Sequence, residues 1–150
     1  MAQVESFSLD HTKVKAPYVR KAGVYTGPKG DKVSKFDLRF TQPNKEFMNS
    51  AGMHALEHLM ATYMRDYLED IIDLSPMGCR TGFYLTVWGE PDVKDIISGL
   101  EKTLKEVVKA TEVPATTEVQ CGNYLEHSLE EAVGYANKLL FQGISDKVFG

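Results

Sequence analysis

Residues 18–40 read YVRKAGVYTGPKGDKVSKFDLRF. Tyr18-Val19 and Val24-Tyr25 precede a turn cluster, Gly27-Pro28-Lys29-Gly30-Asp31. Beyond the turn, Phe36, Leu38 and Phe40 alternate with Lys35, Asp37 and Arg39. A period of two with one apolar face is a half-buried antiparallel strand, so the stretch predicts a β-hairpin. Its two glycines do not form a phosphate-binding loop, because the spacing is wrong and a strand follows instead of a helix.

Upstream, the first fifteen residues have no clear period and read as an arm. Downstream, Gln42-Pro43-Asn44 breaks the strand. A helix capped by Asn49 or Ser50 is predicted to run to about Leu68, with Met53, Leu56, Met60, Tyr63 and Tyr67 as its apolar stripe. Ile71–Leu74 and Thr81–Trp88 read as two more strands around the turn Ser75-Pro76-Met77-Gly78-Cys79. Pro91 suits the start of a second helix, whose apolar face is Ile96, Ile97, Leu100, Leu104, Val107 and Val108. Ser128-Leu129-Glu130-Glu131 has the spacing of a capping box, and the helix it opens is predicted to stop at Gly143. Strands in adjacent pairs with helices between them predict an α+β fold, an antiparallel sheet packed against helices. No repeat or long linker divides residues 1–150, which read as one compact domain.

Composition narrows the function. The 150 residues carry 17 Lys and Arg against 21 Asp and Glu, a net charge of −4, with 43% apolar residues. Mild acidity without a basic block argues against nucleic acid and anionic membranes as partners. No apolar run approaches the roughly 18 residues of a membrane span. The opening MAQVESFSLD has acidic residues and no apolar core, so a signal peptide is not expected. Two cysteines do not make a disulfide framework, and the chain reads as cytoplasmic.

The sharpest chemical feature is His54-Ala55-Leu56-Glu57-His58. On a helix, residues four apart lie one above the other, so both imidazoles can reach one metal ion. Glu57 sits between the histidine flank and the apolar stripe, where partial burial favours acid/base use. The order H-x-x-E-H inverts that of the commoner zinc proteases. A mononuclear catalytic site needs a third protein ligand and an open fourth position. Cys79, Cys121, His11 and His127 are the candidates, and spacing alone does not choose among them. Cys121 precedes Gly122-Asn123, where the chain can turn sharply; Cys79 is followed by Arg80, whose charge would favour a thiolate. Arg39 falls on the polar face of its strand, where a solvated charge is the ordinary outcome.

HALEH, SPMGCRTGFY, the N-terminal VESFSLDHTKVKAPYVR and CGNYLEHSLE together resemble the S-ribosylhomocysteine lyase family, known as LuxS. The similarity runs from Val4 to the helix after Ser128, with the motifs in family order. It implies a metal site of His54, His58 and Cys121 with water or a substrate oxygen as fourth ligand. It also implies Cys79 as the free catalytic thiol and Glu57 as the second acid/base group. Ser6, His11 and Arg39 match positions that contact sugar hydroxyls, and Asp73 lies in the region that holds the homocysteine end. One divalent metal per subunit is implied, Fe²⁺ as the native ion with Zn²⁺ or Co²⁺ as substitutes, in a homodimer whose two sites are built from both chains. Arg80 departs from the family, where many members carry glutamine.

The reaction implied is a redox-neutral cleavage of the thioether of S-ribosylhomocysteine. The sugar opens, its carbonyl migrates through two enediolate shifts, and homocysteine leaves by β-elimination. A dihydroxypentanedione, the precursor of autoinducer-2, is the other product. Such shifts need a Lewis acid for the developing negative charge and bases that reach carbon and oxygen. Two other readings compete. One is a metallopeptidase of the inverted-motif type, with Glu57 activating water. The other is a structural or regulatory metal module closed by Cys79 as a second thiolate.

Overall fold

The turn at residues 27–31 closes the hairpin as its composition predicts. The structure, a computed structural model, describes residues 2–150. Strand β1 (Tyr18–Thr26) runs antiparallel to β2 (Lys32–Arg39), the Gly27 amide donates to the Asp31 carbonyl at 2.8 Å, and Gly30 takes a φ of 91° that suits a residue without Cβ. The second hairpin pairs β3 (Ile71–Pro76) with β4 (Gly82–Trp88), and β4 also pairs with β2. The result is one antiparallel sheet in the order β1-β2-β4-β3. Gly82 is required where β4 meets β2, because a Cβ there would lie 2.1 Å from the Leu38 carbonyl oxygen.

Three helices cover one face of this sheet: α2 (Ser50–Tyr63), α3 (Val93–Lys109) and α4 (Leu129–Gln142). Inward residues Phe36, Leu38, Phe83 and Leu85 pack with Leu56, Leu59 and Met60 of α2, Leu100 and Leu104 of α3, and Leu139 of α4. This is the α+β arrangement expected from paired strands and amphipathic helices. The arm contains one helical turn, α1 (Glu5–Ser8), and Glu5 ion-pairs with Arg20 of β1.

Local rules hold to different degrees. Ser128 caps α4 by accepting from the Glu131 amide at 3.1 Å, and Gly143, at a φ of 78°, ends the helix. The capping box is half formed. The Ser128 amide donates to the Ala51 carbonyl at 3.0 Å and the Glu131 carboxylate accepts from Asn49, so the second half of the box ties α4 to α2. Pro91 precedes the N-cap Asp92 of α3 instead of opening the helix. Helix α2 stops at Tyr63, five residues short of the expected end. There the backbone tightens into a 3₁₀ turn, Met64–Asp66, with the amides of Tyr67 and Leu68 both donating to the Met64 carbonyl. The buried side of α2 includes Leu56 and Met60 of the expected stripe together with Ala55 and Leu59, Met53 and Tyr63 are partly buried against it, and Tyr67 is exposed with its hydroxyl on Glu106.

The largest departure from the sequence pattern is on β2. Asp37 and Arg39 alternate with the apolar residues as expected but are 0% and 1% exposed, so this end of the strand is buried on both faces. Charge pairing on the outer face makes that burial affordable, since each buried ion has a partner.

Candidate active site

Helix α2 places His54 and His58 one turn apart, and the irregular segment between α3 and α4 brings Cys121 to them. The Cys121 sulfur lies 3.5 Å from Nε2 of His54 and 3.8 Å from Nε2 of His58. Turns flank this cysteine on both sides, and its amide donates to the Thr117 carbonyl at 3.0 Å. The histidines are anchored from behind: Nδ1 of His54 meets the Glu126 carbonyl at 2.8 Å and Nδ1 of His58 meets the Pro114 carbonyl at 2.9 Å. A carbonyl only accepts, so each Nδ1 carries the proton and each Nε2 presents a lone pair to the cluster.

These residues fit a metal ion. Bonds of about 2.3 Å to sulfur and 2.0–2.1 Å to nitrogen put tetrahedral sulfur–nitrogen edges at ~3.5 Å, close to the two distances found. The His54 and His58 rings stand 83° apart, which lets lone pairs lying in the ring planes converge.

His127 completes a group of four ligand atoms within 4.8 Å of one another, its Nε2 being 3.9 Å from the Cys121 sulfur. Its ring is stacked on His54 with centroids 3.9 Å apart and only 27° between the planes. Nearly parallel planes at that spacing meet well beyond a metal–nitrogen bond, so the in-plane lone pairs of His54 and His127 do not converge as those of His54 and His58 do. Nδ1 of His127 is buried and has no partner among the described residues, unlike the other two. Burial and the neighbouring His54 and His58 push its protonation down to about 4, so the ring is neutral at ordinary pH.

Glu57 lies beside the cluster, 4.0 Å from Nε2 of His58. Burial raises its carboxyl above the ordinary range, the two histidines oppose that, and Asp73 on β3 reinforces it. Asp73, exposed and bonded by the Ser75 hydroxyl, therefore belongs to this neighbourhood.

Cys79 is elsewhere. It lines a cleft of about 630 Å³ on the outer face of the sheet together with Ser6, His11, Arg39, Thr81 and Tyr84. Three residues expected to contact the sugar are thus gathered around the thiol by the arm and β2. Nδ1 of His11 meets the Leu9 carbonyl at 2.8 Å, leaving Nε2 with its lone pair. The cation that faces the sulfur is Arg39, with Nη1 3.9 Å from Sγ. Arg80 adopts a φ of 61° and stacks on the Phe47 ring at 4.6 Å. Asp37, behind Arg39, has no motif to announce it, and strand alternation alone marks it as sharing the face of Arg39; Thr81, between Arg39 and the sulfur, lies within SPMGCRTGFY but nothing in that stretch gives it a role.

The cleft and the cluster have no residue in common. The cluster is built on the helix layer, whereas Arg39 and Tyr84 alternate with core-facing residues and so project from the opposite face of the sheet.

Comparison with known proteins bears on this arrangement. Residues 4–149 match the family described as S-Ribosylhomocysteinase (LuxS). A protein named S-ribosylhomocysteine lyase from Clostridium perfringens is 62% identical over 149 residues, covering 99% of each chain. Proteins of the same name from Clostridioides difficile and Deinococcus radiodurans are 58% and 54% identical, covering 99% and 92% of those chains and 100% and 96% of this one.

Proposed function

This chain belongs to the S-ribosylhomocysteinase (LuxS) family and is an S-ribosylhomocysteine lyase, and on that premise we propose how its residues divide the work. The observation that carries the reading is the convergence of His54, His58 and Cys121 with Glu57 beside them. In the proposed site those three hold one divalent ion; their mixed imidazole–thiolate set accommodates Fe²⁺, Zn²⁺ and Co²⁺ alike, and family membership is what points to Fe²⁺ as the native ion with the other two as substitutes. When bound, the ion supplies Lewis-acid polarisation of the substrate's carbonyl and hydroxyl oxygens.

The side chains move the protons. Cys79, as the thiolate facing Arg39, removes a proton from a sugar carbon next to the carbonyl and returns it to the adjacent carbon. Glu57 exchanges protons at substrate oxygens, for which a carboxyl raised by burial is better matched to neutral pH than an ordinary one. Ser6, His11 and Arg39 hold the sugar hydroxyls, and Asp73 holds the homocysteine end. In the final elimination Glu57 takes the proton from the carbon between the migrated carbonyl and the C–S carbon, a carbon–carbon double bond forms, and the C–S bond breaks with homocysteine leaving as its thiolate. The other product is the dihydroxypentanedione from which autoinducer-2 forms.

One substrate must meet both the cluster and the thiol, yet they stand on different faces of one chain. We therefore propose a homodimer in which the Cys79 cleft of one protomer faces the metal cluster of its partner. Residues 1–150 form one lyase domain in this reading. It works in the cytoplasm, where both thiols stay reduced, without nucleic-acid or membrane partners. No helix of the described residues is long and apolar enough to cross a membrane.

The test is release of free thiol from S-ribosylhomocysteine by protein purified anaerobically with Fe²⁺. Cys79→Ala should abolish release while metal content stays at one per chain, and Cys121→Ala should empty the site. Glu57→Gln should lower the rate by roughly 10²–10⁴ with metal retained. Thiol release at the normal rate by Cys79→Ala, or none from metal-loaded wild type, would sink the assignment.

A further inference from the structure

For a Cys79 thiolate, the direction of the hydrogen bond on the sulfur follows from the inventory of donors around it. Nη1 of Arg39 lies 2.9 Å from the Thr81 hydroxyl oxygen, and the Cys79 sulfur lies 3.0 Å from the same oxygen. A guanidinium has no acceptor, so Thr81 accepts from Arg39. The hydroxyl has a single proton and no third partner among the described residues, so that proton is free for the sulfur, and a thiolate sulfur, having no proton of its own, can only accept it.

Both ends of this relay are fixed. Arg39 also donates Nη2 to Asp37 at 3.1 Å, and the same carboxylate oxygen accepts from the Tyr18 hydroxyl and from Nε of Arg20. The Thr81 carbonyl accepts the amides of Phe40 and Thr41 at 2.8 and 3.0 Å, pinning the residue to the end of β2. Thr81 is 4% exposed and Arg39 1% exposed, so both are held largely away from water at the floor of the cleft.

We propose that Thr81 is the positioning residue of the catalytic thiol. Its hydroxyl, oriented by Arg39, donates to the Cys79 sulfur, favours the thiolate and holds it toward the cleft. A hydrogen bond to a charged acceptor is among the stronger ones and is lost with the anion, so the effect falls on thiolate formation. Within the same protomer, the other titratable or charged groups facing the thiol are Arg39 of β2, His11 of the arm and Tyr84 of β4, and in the proposed dimer the partner's metal cluster faces it from across the interface. Arg80 is drawn away onto Phe47, and Asp37 stands behind Arg39. This inference rests on Cys79 as an acid/base group, but its test does not require turnover.

The experiment is iodoacetamide alkylation of Cys79 in the metal-loaded full chain, read at that residue by peptide mass spectrometry across pH 5–10. Wild type is compared with Thr81→Val, Thr81→Ala and Thr81→Ser. On the rising limb, the Val and Ala variants should react about tenfold more slowly, their profiles displaced by about one pH unit to higher pH. Thr81→Ser should stay near wild type, and metal content should be the same in all four. Val and Ala profiles superimposed on wild type would overturn the proposal, as would a Ser profile displaced as far as Val. A wild type that releases no thiol from S-ribosylhomocysteine would instead overturn the lyase roles and leave the alkylation comparison intact.

Discussion

Asp37→Asn isolates the charge network under the Cys79 cleft while keeping the shape of the side chain. One Asp37 oxygen accepts from Tyr18, Arg20 and Arg39, each at 3.1 Å, and the residue is fully buried. Burial alone would drive the Arg39 guanidinium down, and the Asp37 charge, Tyr18 and the hydrogen bonds to both together more than offset it, so the group is held above its ordinary value. An amide in place of the carboxylate leaves Arg39, whose side chain is 2% exposed, as a buried cation without a counter-ion. Breaking a buried pair in this way costs roughly 3–5 kcal/mol, far more than the net worth of the pair. At about 2–4 °C per kcal/mol for a chain of this length, the melting temperature should fall by roughly 6–20 °C. Urea denaturation followed by circular dichroism reads the loss as a lower midpoint at unchanged slope. Glu5→Gln is the internal control. Its partner Arg20 is 15% exposed and Glu5 itself 38% exposed, so solvent screening limits that loss to under ~1 kcal/mol. An Asp37→Asn loss no larger than that of Glu5→Gln would refute the claim that Arg39 depends on Asp37.

Gly82→Ala should cost roughly 3 kcal/mol or more in the same assay, since the new methyl can be accommodated only by moving β4 away from the Leu38 carbonyl. Tyr18, pushed up to about 12 chiefly by burial and then by Asp37, stays protonated in the folded protein at pH values where the unfolded chain ionises. Its contribution is therefore fully present below about pH 10 and lost as pH rises through about 12, an alkaline loss of roughly 2–3 kcal/mol that Tyr18→Phe should not show when unfolding is measured at pH 9 and 11.5. His127→Gln should retain Co²⁺ within about tenfold of wild-type affinity by chelator competition, whereas His54→Ala should lose it by more than a hundredfold; equal losses would make His127 a ligand despite its stacked ring.

Much of the fold was legible before any coordinates. The hairpin at residues 18–40, the strand pair around residues 75–81 and the helix opened by Ser128 each follow from turn residues, alternation or a cap, which are properties of neighbours in sequence. The boundaries that moved were set from outside the element. Helix α2 ends early where its backbone tightens at Met64 and Leu68 packs over Gly99, and half of the Ser128 capping box was diverted into the contact between α2 and α4. The site divides the same way. His54, Glu57 and His58 share a helix face by spacing alone, but which cysteine joins them depends on the path of the segment between α3 and α4.

The hairpins, the amphipathic helices and the two-histidine face with its glutamate are written in local sequence, because periodicity and capping act over a few residues. The sequence motifs also carried the family. Packing between distant segments is what buries Arg39, turns it and not Arg80 toward the thiol, and sets Cys79 on the face of the sheet opposite the helices. Those outcomes turn on whether a charge finds a partner across strands and which side of the sheet each loop reaches, and both are settled by contacts between residues distant in the chain.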